Sequence, residues 1–156
     1  MKRWLVLVVL ALLLTACGGG PVRRVSEPAA SIQQLTVRAD GSWSVDLRLQ
    51  NYSSIPMRFD AVDLTLVLQD QAAGALKVSP GISIGPESAD VVTVTLAPAS
   101  LARIAIADAL SDRRSVGYSL EGSVQVVPEE RKSQTFTLKK RNNSLNPVPG
   151  LPGVLR

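Results

Sequence analysis

Trp43-Ser44-Val45-Asp46-Leu47-Arg48-Leu49-Gln50 is the stretch that decides the fold. Apolar and polar residues alternate without a break. Side chains of an extended strand point to opposite faces in turn, so this period builds a strand with one buried and one wet face. An amphipathic helix would instead repeat its apolar residues three and four apart. Upstream, Ile32, Leu35 and Val37 lie in a first strand that ends at Asp40-Gly41, a turn signal. The short gap between the two runs predicts an antiparallel hairpin.

Downstream, Asn51-Tyr52-Ser53-Ser54-Ile55-Pro56 breaks the alternation. Asn and Ser favour a turn through local side-chain hydrogen bonds, and Pro through its fixed φ. A third strand carries Val62, Leu64, Leu66 and Leu68 on one face, with Asp63, Thr65 and Gln69 on the other. Gln71 to Gly74 reads as a polar turn. Ala75 to Val78 and Ile82 to Ile84 read as short strands around Pro80-Gly81, and Gly85-Pro86-Glu87 as another turn. Ser88 to Leu96 is a strand with Val92, Val94 and Leu96 inward. Pro98 then opens a short helix, in which Leu101, Ile104, Ala105 and Asp108 share a face flanked by Ile106 and Leu110. Its five alanines, at 99, 102, 105, 107 and 109, favour helix over strand. Val116, Tyr118, Leu120, Gly122, Val124 and Val126 alternate along a long strand. Pro128-Glu129-Glu130 turns the chain, and Ser133 to Lys140 closes the set with Phe136 and Leu138 inward. About seven strands at short spacing with one helix predict an all-β chain, a single antiparallel β-sandwich. The Ig-type hallmarks are missing, because Trp43 has no bridging cysteines around it.

The chain begins with Lys2 and Arg3, then the unbroken apolar run Trp4–Leu14. This is the layout of a secretory signal peptide. As a helix the run would rise only about 16 Å, against about 30 Å of hydrocarbon, and three glycines follow at 18–20. Its ending, Leu14-Thr15-Ala16-Cys17, resembles the lipobox of bacterial lipoproteins. The resemblance implies cleavage between Ala16 and Cys17 and acylation of Cys17 at its sulfur and new amino group. It implies about three acyl chains, where one alone binds a bilayer only marginally, so release would be slow. An ordinary cleaved signal would instead leave Cys17 as a lone thiol in an oxidising compartment. Gly18, where a retention signal would have Asp, favours the periplasmic face of the outer membrane. The expected organisation is a signal peptide at 1–16, a flexible tether at 17–31, the sandwich at 32–141 and a tail at 142–156. That tail holds three prolines and two glycines.

The residue inventory narrows the function. The chain has no histidine, and its one cysteine is the lipobox residue. Cys/His metal sites, Ser-His-Asp triads, Cys-His dyads and internal disulfides are therefore excluded. The formal charge of +4 falls to about +2 once Lys2 and Arg3 leave with the signal. Its basic residues do not interleave with aromatics, so nucleic acid is not an expected partner. Arg131, Lys132, Lys139, Lys140 and Arg141 read as a solvated strand edge that resists sheet-to-sheet association, or as a contact for anionic head groups. Asp60 and Asp63, three apart in a strand, are expected on opposite faces. Glu129 and Glu130 read as a solvated turn, and Asp40, Asp46 and Asp90 form no calcium loop. No catalytic residue, metal or cofactor is expected. Asn51 is singled out as a turn-making residue, with a ligand contact as the alternative. Tyr118 is expected in the core with its hydroxyl reaching the edge.

The run Val45 to Pro56, followed by Phe59-Asp-Ala-Val-Asp-Leu-Thr-Leu66, resembles the LEA type 2 proteins, also called WHy (water stress and hypersensitive response) domains. The Thr/Val-rich strand at 88–96, the short helix and Tyr118-Ser-Leu-Glu-Gly122 follow in the family's order. The family's Asn-Pro-Asn is Asn51-Tyr52-Ser53 here, so the proline is lost. The resemblance covers about Ile32 to Lys140. It implies a fibronectin-like sandwich with one helix, no catalytic residues, and a role in desiccation and stress tolerance. The expected partners are the membrane, reached through the N-terminal lipid, and partly unfolded proteins or the lipid surface. Two other functions compete: an adaptor lipoprotein that docks through the Pro-rich tail, and a carrier of an apolar ligand between its sheets.

Overall fold

The computed structural model describes residues 20, 22–138 and 140–156. In chain order its elements are β1 (Ala29–Val37), β2 (Trp43–Gln50), β3 (Met57–Leu68), β4 (Gln71–Val78), β5 (Ile82–Ile84), β6 (Ala89–Leu96), α1 (Ser100–Ser111), β7 (Val116–Pro128), β8 (Gln134–Leu138), β9 (Asn143–Leu145) and β10 (Val154–Leu155). Two antiparallel sheets face each other. One runs β10-β1-β2-β6, the other β4-β3-β7-β8. In the second sheet β5 pairs with the start of β3 beyond β4, and β9 pairs with the start of β7 beyond β8. Both sheets are thus about four strands wide, and the all-β sandwich read from the sequence is the observed architecture.

The alternating positions fill the space between the sheets. Trp43, Val45, Leu47 and Leu49 of β2 are all buried, as are Leu64, Leu66 and Leu68 of β3 and Val124 and Val126 of β7. Burying a Leu or Val side chain stabilises by roughly 1.5–3 kcal/mol, so this interleaved apolar layer is the main force holding the sheets together. The central pair, β3 with β7, stays in register from Met57↔Pro128 to Leu68↔Tyr118, with one bulge between Phe59 and Ala61. At Gly122 the two backbones approach so closely that a Cβ would overlap the Asp63 carbonyl oxygen, and φ is +142°. Only glycine suits such a position.

Four local readings need correction. The β3–β4 turn is Gln69-Asp70, both at positive φ (47° and 64°), and Gln71 to Gly74 already belongs to β4. The two-residue turn with both φ positive matches the strand twist, but it lacks the glycine that usually signals it. The helix turns its other face inward. Ala102, Ile106 and Ala109 are buried, while Leu101 is 61% exposed and Ile104 57%. The small alanines let the helix lie close against β4 and β7 across the end of the sandwich.

The bulge in β3 adds one residue between Phe59 and Val62, so Asp60 and Asp63 both face outward, not to opposite faces. Each is paired separately, Asp60 with Arg58 at 2.6 Å and Asp63 with Lys77 at 2.9 Å. Finally, the segment 142–156 is not an irregular tail. β9 joins β7, β10 joins β1, and Leu145 and Leu155 are fully buried. The last residues therefore bridge the two sheets along one side.

Candidate functional site

The strands give the sandwich two ends. At one lie the 51–56 turn, the 85–88 turn and the 128–131 turn. At the other lie the β1–β2 turn, Gln69-Asp70, α1 and the 146–153 loop. Along β3, Met57 and Leu68 are about 36 Å apart at roughly 3.3 Å per residue.

Asn51 organises the first end. It is wholly buried, yet every polar group of its side chain is used. Its Oδ1 accepts the Ser53 N–H at 2.8 Å, closing a turn. Its Nδ2 donates to the carbonyls of Ile55 (2.9 Å), Ile84 (3.1 Å) and Gly85 (2.9 Å). Its own backbone N–H reaches the Ser88 carbonyl at 2.8 Å. One amide thus fastens the β2–β3 turn to the β5–β6 turn. Buried peptide groups need partners, and here a side chain supplies those that no strand can reach. Asn51 thus reaches beyond its own turn and ties together two turns that each cross between the sheets.

Next to this node, the chain before β1 is clasped down. Of the segment 17–31 read as a flexible tether, residues 22–28 run along the 51–56 turn and residues 29–31 already belong to β1. The Ser54 hydroxyl donates to the Val22 carbonyl (2.6 Å) and accepts the Arg24 N–H (2.8 Å). Ser53 Oγ accepts the Ser26 N–H at 2.9 Å. Arg23 pairs with Glu129 (3.2 Å) and Glu130 (3.0 Å), Arg24 faces Glu87 (3.5 Å), and Arg131 donates to the Arg23 carbonyl (3.1 Å). Val25 packs against the core and Pro28 is buried. Glu129 and Glu130, read as a solvated turn, thereby hold the incoming chain. The sequence carries little trace of this clasp, because polar residues without a period look alike whether bonded or free.

The far end exposes large apolar side chains among polar and charged ones. Leu101 and Ile104 stand on the outer face of α1. Beyond the end of the helix, a surface groove of about 640 Å³ runs between Leu110, Arg113 and the loop bearing Val148, Pro149 and Leu151. A smaller cleft of about 220 Å³ opens where the sheets part, between Ala30 of β1 and Leu120 and Leu138 of β7 and β8. Small-molecule pockets usually measure roughly 300–1,000 Å³, so this cleft would not enclose an acyl lipid.

Tyr118 crosses the core from β7, and its hydroxyl accepts the Ile32 N–H of the opposite sheet at 2.9 Å. Burial raises its pKa above the ordinary phenol value, and the hydrogen bond from Ile32 works in the other direction. The basic residues near 131–141 do not form one patch. Arg131 belongs to the clasped end, while Lys140 pairs with Asp70 at 3.1 Å near the other. Among the described residues no three Asp, Glu, His or Cys side chains gather as metal ligands, and no helix is long and apolar enough to cross a membrane. Ala16 and Cys17 lie outside the described residues.

The fold and these features define a helix-capped antiparallel sandwich in which a fully buried asparagine holds turns together. The model of the late embryogenesis abundant protein family, LEA type 2, matches residues 46–142, and the chain belongs to that family. The match begins inside β2 and stops one residue before β9, so the clasped segment 22–28, β1 and the closing strands β9 and β10 lie beyond it. The solution structure of AT1g01470 from Arabidopsis thaliana is similar, with a TM-score of 0.52 at 12% identity over 84% of this chain and 87% of that one. It supports the fold alone. A crystal structure of the putative ApaA protein from Bordetella pertussis aligns at a TM-score of 0.49 and 11% identity, over 84% of this chain and 100% of that one. No curated protein sequence matches the chain.

Proposed function

We propose that this LEA type 2 protein is a lipid-anchored envelope lipoprotein without enzymatic activity, which protects proteins or membrane during drying and osmotic stress by surface binding. The observation that carries the reading is the end of the sandwich at α1. Leu101 and Ile104 remain exposed there while the same helix buries Ala102, Ile106 and Ala109. An apolar face of this kind offers weak, unspecific contact to partly unfolded chains. A lipid on Cys17 would hold that face at high local concentration near the envelope. Family membership supports the stress role. The lipobox sequence supports the anchor, and Gly18 supports the periplasmic face of the outer membrane.

The test is survival of drying and osmotic shock in a strain lacking the gene, complemented with the wild-type chain, with Cys17→Ala and with Leu101→Ser/Ile104→Ser. Protection should be restored by the wild type alone. Unchanged survival of the deletion strain would sink the protective role, and full rescue by the double serine variant would sink the surface-binding mechanism. The adaptor reading keeps one foothold, the exposed Leu151 beside the groove at Val148 and Pro149. Crosslinking from that loop to one stoichiometric partner would favour it.

A further inference from the structure

We infer that the sandwich stands on the bilayer on its clasped end, with the 51–56, 85–88 and 128–131 turns against the head groups and α1 turned away. The inference rests on the proposed acylation of Cys17 and deepens it. A flexible tether of fifteen residues would let the domain sample any orientation. The clasp removes most of that freedom. Val22 is held by its carbonyl to Ser54, and Arg23 and Arg24 are fixed by Glu129, Glu130 and Glu87. Only five links then separate Cys17 from Val22. At no more than about 3.6 Å each they span at most roughly 18 Å. As a glycine-rich coil their root-mean-square span is nearer 12 Å. The polar layer of one leaflet occupies about 5–8 Å of that length. The exit point therefore hovers within a few ångströms of the head groups, while the helix lies about 36 Å further along the strands.

The charge on this end suits such a surface. The clasp sets Arg23 and Arg24 against Glu87, Glu129 and Glu130, and Arg131, bonded to the Arg23 carbonyl, brings these charges to balance before a negative leaflet. The guanidinium of Arg131 sits beside the pairs, and Lys132, exposed next in the chain, is a cation that lipid phosphates could approach. Tyr52, exposed at the tip of the turn, is an amphipathic side chain of the kind that lies comfortably at head-group depth. The opposite end would then present Leu101 and Ile104 to the compartment rather than to its own membrane.

The measurement uses the acylated protein in vesicles of phosphatidylethanolamine and phosphatidylglycerol doped with a lipid bearing a nitroxide on its head group. Once Cys17 is acylated, Tyr52→Cys or Ile104→Cys supplies the only free thiol, to be labelled with a fluorophore. The label at 52 should lose most of its emission and the label at 104 little. Adding Arg23→Ala, Arg24→Ala and Ser54→Ala, which removes the ion pairs and the hydroxyl that holds the backbone of Val22 and Arg24 and so lengthens the link, should restore emission at 52. Equal quenching at the two positions, or stronger quenching at 104, means the domain lies on its side or inverts, and overturns the proposal. If the chain is not acylated, neither label floats with vesicles and the mass of the N-terminal peptide lacks the acyl groups. In that outcome the anchor reading falls too, and the two failures are told apart.

Discussion

Replacing Asn51 should unfold the turn network rather than abolish a ligand contact, and the size of the effect follows from its bonds. Asn51→Ala deletes one accepted and three donated contacts in a fully buried position. A net hydrogen bond is worth about 1 kcal/mol, and a buried group left without a partner costs about 1–3 kcal/mol. The Nδ2 protons are shared among three carbonyls, so the contacts are not fully additive, and water would reach some of them as the turn loosens. The expected loss is about 4 kcal/mol of unfolding free energy, a large share of the roughly 5–15 kcal/mol typical of a domain. Asn51→Asp separates shape from donation. The carboxylate keeps the acceptor for Ser53 but aims a negative oxygen at three carbonyls. Its folded pKa should rise above the ordinary value of about 3.9. The folded state then holds the proton more tightly, so the deficit is full above the folded pKa and shrinks as pH falls through it. Urea unfolding of the mature chain in a Cys17→Ser background reads both effects as midpoint shifts at constant slope. A loss below about 1 kcal/mol for Asn51→Ala would refute the network argument, because a single exposed hydrogen bond would account for it. So would an Asn51→Asp deficit that does not change with pH.

Three further outcomes are expected. Gly122→Ala drives a Cβ into the Asp63 carbonyl at a positive φ and should cost about 3 kcal/mol or more, read by thermal unfolding; near-neutral behaviour would mean the two backbones are further apart than described. Tyr118→Phe leaves the Ile32 N–H without its partner and should cost about 1–3 kcal/mol at neutral pH. Because the folded phenol pKa is raised, wild-type stability should fall once pH climbs above about 10 and through the folded value, and a fall of the same size in the Phe variant would assign it elsewhere. Leu155→Ala, next to the chain end but fully buried, should cost about 2–4 kcal/mol in denaturant, whereas a docking tail free of the body would show no change.

The sheets were legible because period-two patterning is imposed by burial, and burial is what sequence records best. β2, β6 and β7 lie where their alternating residues put them, and their inward sets are buried except for the half-buried Val92 and Gly122. The errors cluster where the determinant is not local hydrophobicity. Gln69-Asp70 makes a turn that its side chains do not advertise, and the true partner of Gln71 is Leu68. The inward face of α1 was hidden because the helix docks through Ala102 and Ala109 around one large residue, Ile106, while Leu101 and Ile104 are left out. The β3 bulge reverses the facing of Asp60 relative to a simple count, and nothing in Phe59-Asp-Ala-Val62 signals the extra residue. Asn51 was visible as a turn residue through its type and position. Its three carbonyl partners at 55, 84 and 85 depend on the packing of β5 against β3, which no short motif reports.

Both chain ends were read as loose for one physical reason, and both are fixed for another. Each lacks a hydrophobic period, which argues against a strand but says nothing about a segment held by polar bonds or by one buried leucine. At the start, Ser53 and Ser54 supply hydroxyls to backbone groups of 22–26, so the bonds are formed by the turn that follows β2 and not by the segment itself. At the end, Asn146 and Arg156 exchange backbone bonds across the loop, which brings Leu155 against Leu35. The two devices act on different ends of the sandwich. The N-terminal clasp and the Asn51 node fasten the same turn, so loosening one should soften the other. The C-terminal bridge sits with α1, remote from both. Five links of chain lie between Cys17 of the lipobox and the clasped Val22. Under the proposed acylation of Cys17, a domain so held has a defined near end and a defined far end, and the exposed apolar residues of α1 are at the far one.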